Sequence, residues 1–263
     1  MTLLQALVLG IVQGLTEFLP VSSSGHLVIV PDLLGWSEPS ISFDIVLHLG
    51  TMVAVIAYFW RDLVAIVSAF FEPYSGPVRA RRRLGSLIII GTIPGAIAGA
   101  ALEKKFAEVF DRPSEVAVFL LLTGVILVAA EAAARQQRGI GKLKVVDSLI
   151  IGVAQAVAIL PGISRSGATI SSGLFLGLKR EAAARYSFLL SIPIIAGAAL
   201  LKLRHGFDGS ESLLALLTGF AAATVSGILA VRFLLGFVRR HSLRGFAYYC
   251  WIAGAIVIVY HAL

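Results

Sequence analysis

Apolar positions fill the chain in long runs separated by short charged stretches, and the length of those runs is the first constraint on the fold. A hydrocarbon core about 30 Å thick takes a helix of roughly 20 apolar residues. Runs of that length at about 42–60, 84–102, 115–134, 182–202, 212–235 and 245–262 predict six transmembrane helices. Two further apolar segments, roughly 3–35 and 146–178, are broken mid-way by PVSSSGH and PGISRSG. A break at membrane depth leaves N–H and C=O groups unpaired, which is tolerated only where protein or a wet cavity satisfies them. Each broken segment is therefore expected to form a re-entrant helix-loop-helix hairpin. The predicted fold is all-α, a polytopic membrane protein of six transmembrane helices plus two re-entrant hairpins.

Composition points the same way. Of 263 residues 58% are hydrophobic and 14% charged, with a mean hydropathy of +0.91, against about 25% charged in soluble domains. No stretch is left for a soluble domain, so residues 1–263 are read as one integral membrane domain. The opening MTLLQALVLGIV lacks a basic n-region and a small-residue cleavage site and is expected to belong to the mature fold. The single Cys250 excludes an internal disulfide and reads as a packing residue.

The formal charge of +7 raises nucleic acid as a partner, but the basic residues are dispersed over several loops without an aromatic-laced patch, and no nucleic acid is expected. They read instead as topology. If both hairpins return to their side of entry, the loops at 61–83, 135–146, 179–185 and 236–244 share one face with fifteen Lys/Arg, against Lys104, Lys105, Arg112, Lys202 and Arg204 opposite. The positive-inside bias makes the first face cytoplasmic and puts both termini outside a plasma membrane crossed several times.

The chain also repeats. Gly10, Gln13, Ser22, Ser24 and Gly25 recur 142 residues later as Gly152, Gln155, Ser164, Ser166 and Gly167, while Pro20 returns as Pro161, one position out of step. Gly91 and Gly99 match Gly219 and Gly227 at an offset of 128. The halves are approximately 1–138 and 139–263, each a hairpin and three spans. Three is odd, so the second half is expected upside down relative to the first, an inverted-topology repeat whose two broken tips meet inside the membrane.

Ionisable groups inside a bilayer are a functional hypothesis by default. Gln13 and Glu17 share one helix face; Ser22, Ser23, Ser24 and His26 occupy the first tip, and Ser164, Arg165, Ser166 and Thr169 the second. Arg165 offers a fork of donors for phosphate oxygens, and helix N-termini following the glycines point N–H groups inward. The combination describes an anion site, most simply for phosphate. Plainer roles stand beside this one. Serines and glycines in membrane helices commonly pack helices together, Glu17 and Arg165 also suit a structural ion pair, and His26 also suits a helix cap. His48 in FDIVLHLGT fits packing as well as a site, Asp44 fits an interface, and Glu131 and Arg232, near helix ends, are expected to snorkel.

QGLTEFLPVSSSGHL and LPGISRSGATISSG, together with FDIVLHLGT and the six-span layout, resemble the undecaprenyl-diphosphate phosphatase family linked to bacitracin resistance, over essentially the whole chain. The resemblance implies removal of the terminal phosphate of a polyprenyl diphosphate, regenerating a monophosphate lipid carrier for cell-wall assembly, assisted by a divalent cation, Mg²⁺ or Ca²⁺. The family's functional positions map to Gln13, Glu17, Ser23, His26 and Arg165, with Glu17, Ser23, His26 and Arg165 expected to be catalytic. Substrate contacts are expected from Ser22, Ser24, Ser164, Ser166, Thr169 and His48, and metal contacts from Glu17 and Gln13. Many members carry Glu where Gln13 stands, which removes one charged ligand. Three nucleophiles remain open: Ser23 with His26 as base, His26 itself, or water activated by His26. The inverted repeat also suits a carrier or flippase of a phosphorylated lipid or small anion, and the sequence leaves a homodimer open.

Overall fold

The computed structural model describes residues 1–110, 112–203 and 211–262; Arg204 lies outside the described residues, and the side chains of Lys104 and Lys105 are not among those described. Ten α-helices are found among the described residues: α1 Leu3–Phe18, α2 Ser23–Leu34, α3 Ile41–Ser68, α4 Gly76–Phe110, α5 Pro113–Ala133, α6 Val145–Val157, α7 Arg165–Phe175, α8 Arg180–Leu203, α9 Leu213–Phe237 and α10 Arg244–Ala262. Six of them, α3, α4, α5, α8, α9 and α10, contain stretches long and apolar enough to cross a membrane. The remaining four form the two broken pairs. Most of the expected 61–83 loop is helix instead: α3 runs to Ser68 and α4 starts at Gly76. Arginine is a good helix former with a long stem, so Arg61, Arg79 and Arg81 extend the helices past the apolar stretch.

The short helices start where small hydroxyl residues satisfy the first free N–H groups. The Ser22 side chain accepts from the Gly25 N–H and the Ser164 side chain from the Gly167 N–H, so the serines of both tips cap α2 and α7. Gly35, at φ +62°, closes α2 in a left-handed conformation.

Each broken pair begins and ends at the same end of the bundle. The Met1 amino group lies 3.3 Å from Glu211 at the start of α9, and Asp32 near the end of α2 lies 2.9 Å from His261 at the end of α10. Because α9 and α10 are consecutive and antiparallel, these two contacts mark one end. At the other end the Arg138 guanidinium donates to the Leu176 and Lys142 carbonyls and pairs with Asp147, fastening the start of α6 to the end of α7. Glu131, expected to snorkel, is instead buried, accepting from Arg180 and from the Leu243 N–H (2.8 Å). A carboxylate enclosed by helix ends is better satisfied by these fixed donors than by reaching for solvent.

The repeat-matched glycines make contacts that cross between the halves. A Cβ on Gly10 of α1 would lie 2.6 Å from the Gly219 carbonyl oxygen of α9; a Cβ on Gly152 of α6 would lie 2.4 Å from the Gly91 carbonyl oxygen of α4. Each broken pair therefore docks on the middle helix of the opposite half, with backbones too close for any side chain. Small residues allow this approach where van der Waals packing, rather than the hydrophobic effect, holds helices together. Gly10→Val and Gly152→Val are each expected to lower the unfolding midpoint in detergent by several degrees through overpacking of about 1–3 kcal/mol. Gly197→Val, with nothing within 4 Å of the added Cβ, is expected to leave it unchanged; equal shifts in all three contradict the docking.

Candidate active site

The two breaks, residues 19–22 and 158–164, meet inside the bundle. Ser166 Oγ donates to the Leu19 carbonyl at 3.0 Å, tying the start of α7 to the end of α1. Helix rise gives the depth. Glu17 is 14 residues, about 21 Å, along α1 from Leu3, and Ser187, whose carbonyl lies 3.5 Å from Arg165 Nη1, is about 10 Å along α8 from Arg180. The meeting point thus lies inside the bundle, about twice as far from the Leu3 end as from the Arg180 end.

Glu17 is the hub. Its Oε1 accepts from Arg165 Nη2 at 2.7 Å, and its Oε2 accepts from Ser23 Oγ at 2.5 Å and from Gln13 Nε2 at 2.9 Å. His48 Nε2 lies 4.0 Å from the same Oε2. Arg165 is the counterpart of Ser23 at the repeat offset of 142, so the two matched positions of the two tips converge on one carboxylate. The carboxylate itself has no counterpart: Ile159 stands at the position matching Glu17 and Ala168 at that matching His26. Behind His48 the string continues, with Nδ1 2.8 Å from the Asp44 carbonyl and 3.3 Å from Asp44 Oδ1, and Lys202 of α8 pairing with Asp44.

Ser23, Ser24, Arg165, Asp44 and His48 are half-buried, whereas Gln13, Glu17, Ser22 and His26 are buried. The half-buried groups are the accessible part of this cluster. Four residues expected to touch substrate are buried and bond backbone or neighbouring hydroxyls, Ser22 among them through its cap on α2. Ser164 caps α7, Ser166 holds Leu19, and Thr169 Oγ1 bonds the Arg165 carbonyl (2.8 Å) and Ser187 Oγ (2.6 Å); each is 1% exposed. These three support Arg165 from behind, because a hydroxyl at a helix start finds backbone groups before it finds the cavity.

The pairing of Ser23 with His26, one of the three schemes left open, is not formed. His26 Nδ1 lies 2.7 Å from the Ser22 carbonyl and Nε2 lies 2.7 Å from the Tyr249 hydroxyl, with the rings stacked at 5.6 Å. A carbonyl only accepts, so Nδ1 carries the proton and Nε2 accepts from Tyr249. The ring reaches back one helical turn to the same residue that caps α2. Ser22 is held at φ +69°, ψ 98°, a conformation rare for a residue with a side chain. Strain of this kind, roughly 1–3 kcal/mol, persists where the surroundings over-determine it; the His26 ring and the α2 cap do so here, and they aim Ser23 at Glu17.

The family described as bacitracin resistance protein BacA matches residues 6–256 of this chain. The chain belongs to that family. It is similar to a protein named undecaprenyl-diphosphatase from Moorella thermoacetica, 46% identical over 259 residues covering 98% of this chain and 97% of the relative. Proteins of the same name from Geobacter sulfurreducens (46% over 266 residues, 99% and 98%) and Geotalea daltonii (45% over 267 residues, 99% and 98%) match equally fully.

The resemblance to the phosphatase family implies a divalent cation, and the donors around Glu17 are what this chain offers one. Among the described residues no three His, Cys, Asp or Glu side chains cluster as a ligand set. Yet Gln13 Oε1 is buried without a partner, beside a carboxylate with about four lone-pair sites, three of which accept from Arg165, Ser23 and Gln13. One amide oxygen and one carboxylate are the protein share of a hard-cation shell that substrate phosphates complete. The residues fit a cation that arrives with a diphosphate.

Tyr249 was not legible in the sequence: within AYYCW it reads as an interfacial aromatic, and no motif marks it. Thr123 was missed as well; it donates to the Gly162 carbonyl (3.0 Å) and accepts from the Ser164 N–H (3.1 Å), holding the second break. Tyr249→Phe keeps the stacking but leaves His26 Nε2 without its donor. Turnover is expected to fall about tenfold with KM changed less than twofold, as for partners that orient a working group. Wild-type kcat in this variant would show that Tyr249 does not position the tip.

Proposed function

We propose that this chain hydrolyses the terminal phosphate of undecaprenyl diphosphate, giving the monophosphate lipid carrier and inorganic phosphate. The observation that carries the proposal is the convergence of Ser23 and Arg165, one from each broken tip, on a single buried carboxylate. Family membership and relatives named undecaprenyl-diphosphatase support the substrate.

The chemistry follows from what each group does. Arg165 presents a planar fork to the terminal phosphoryl oxygens and offsets their charge. Ser23 Oγ attacks phosphorus as its proton passes to Glu17 Oε2, already its hydrogen-bond partner, and the bond to the bridging oxygen breaks, releasing the lipid monophosphate. Water then attacks the phosphoserine, giving one proton to the medium, while Ser23 Oγ leaves and takes its proton back from Glu17. His26 holds the tip through Ser22, and His48 stands beside Glu17. Gln13 and Glu17 would hold a divalent cation, which would supply charge neutralisation on the diphosphate.

The same reading makes α1–α2 and α6–α7 re-entrant hairpins of an inverted repeat in the plasma membrane. The arginine-rich end is cytoplasmic and the termini lie outside. Glu17, Ser23 and His26 hang from the outer hairpin, so the site takes substrate laterally from the outer leaflet, since an ionised head group does not readily cross hydrocarbon.

Purified chain in detergent with Mg²⁺ is expected to release phosphate from undecaprenyl diphosphate, and Glu17→Ala, Ser23→Ala, His26→Ala and Arg165→Ala to lower the rate about 10²-fold or more. Absence of phosphate release by the wild type would favour a carrier; near-normal rates in all four variants would discard the site. Sidedness has its own measurement. Ser24→Cys in a Cys250→Ser background is expected to react with a membrane-impermeant thiol reagent in intact cells and to be protected by substrate, whereas labelling only after the cytoplasmic face is exposed reverses the orientation.

A further inference from the structure

At the far end of α9 from Ser212 lies a groove of about 670 Å³ that takes no part in the site above. Arg232, Phe233, Gly236, Phe237, Arg240 and His241 line it. Phe233, Phe237 and His241 stack in a ladder, with ring centroids 5.5 Å and then 4.7 Å apart. Gly236 leaves the floor open, since nothing lies within 4 Å of a Cβ built there. Arg239, also on the rim, pairs with Glu181 at 2.6 Å, but among the described residues no carboxylate lies within 4.0 Å of Arg232 or Arg240.

The position of Arg232 decides what such a groove takes. It is five residues, about 7.5 Å, inside the end of an apolar spanning helix and is exposed, so its stem lies along hydrocarbon and its guanidinium reaches outward. Arg240 and His241 follow just past the helix end. Arg232 lies inside the last turns of α9 and Arg240 and His241 just past its end, so the cationic groups bracket Phe233 and Phe237, and charge and aromatic surface share the boundary where an apolar helix meets the head groups. A soluble anion would use the charges and leave the aromatic wall unused; an acyl chain alone would leave the arginines unused. Basic residues beside the end of a spanning helix attract the anionic lipids of the leaflet they face.

We propose that this groove is a binding site for one anionic phospholipid of the surrounding leaflet, its phosphate held by Arg232 and Arg240 and its upper acyl chain laid on Phe233 and Phe237. The site is separate from the Glu17 centre, and its occupant is a ligand of the fold rather than a substrate.

The test compares the full chain in nanodiscs of phosphatidylcholine alone and of phosphatidylcholine with phosphatidylglycerol. For the wild type, phosphatidylglycerol is expected to raise the thermal unfolding midpoint by roughly 5 °C, the size of a saturated ligand that binds only the folded chain. Arg232→Gln with Arg240→Gln is expected to lose most of that shift while keeping wild-type phosphatase activity in detergent. Arg79→Gln with Arg81→Gln, exposed arginines of α4, is expected to keep the shift. Equal loss in both double variants would mean general surface electrostatics and overturns the site. So does a wild type indifferent to phosphatidylglycerol, or one stabilised as much by inorganic phosphate in phosphatidylcholine discs. Should the double variant not fold, Arg240→Gln alone, beyond the helix, is expected to lose at least half of the shift, and a full shift there is equally fatal.

Discussion

One carboxylate at membrane depth constrains the rest of the molecule. An ionised Glu17 without partners would be prohibitive in a low-dielectric interior, and α1 by itself supplies only Gln13. The remaining donors come from a second broken tip, by way of Arg165, and from the turn that follows α1, by way of Ser23. The two breaks have to meet, and each must leave its backbone groups satisfied. Ser22 and Ser164 cap the resumed helices, Thr123 and Ser166 take up groups of the breaks, and His26 and Cys250 face the carbonyls of Ser22 and Pro20. The polar side chains named here each serve one of those two tasks, whereas Gln155, buried before the second break with neither amide atom partnered, serves neither.

Bringing the tips together depends in turn on close backbone approach. α1 and α6 lie against α9 and α4 at distances that only glycine permits at Gly10 and Gly152, and Gly14 adds a third, where a Cβ would lie 2.0 Å from Ser226 Oγ. Because each broken pair docks on the other half of the chain, neither half completes the centre alone. Arg165 reaches Glu17 only when α6–α7 is seated on α4 and α1 on α9. The fold thus makes the docking of both broken pairs a condition for chemistry, and the tips are unequal, one with a carboxylate and imidazole and one with a guanidinium, so they make a single asymmetric site.

How far this was legible varies with the kind of contact. Spans, breaks, capping serines and the glycine matches are short-range or periodic features, and the residues drawn together at Glu17 were all among those singled out by motif. Ser164, Ser166 and Thr169 carried the same motif signal as Ser23, yet face backbone and neighbouring hydroxyls, because which side of a helix start faces a cavity depends on what packs opposite. Thr123 carried no motif, Tyr249 read as an interfacial aromatic and Lys202 as a loop charge; each is a single polar residue brought to the site by a helix far away in sequence.

The sequence by itself determined an all-helical membrane fold, the two interrupted segments and the ionisable groups within them, since hydropathy, chain breaks and the energetic penalty for intramembrane charge are properties of local composition. Tertiary structure alone decided the partners. It gave Ser23 to Glu17 rather than to His26, and His26 to Ser22 and Tyr249. It also aligned Arg165, Glu17, His48, Asp44 and Lys202 in one string across four helices. Hydrogen bonds and ion pairs act over about 3 Å, and contacts at that range between residues such as Glu17 and Arg165, 148 positions apart, exist only once the helices have packed.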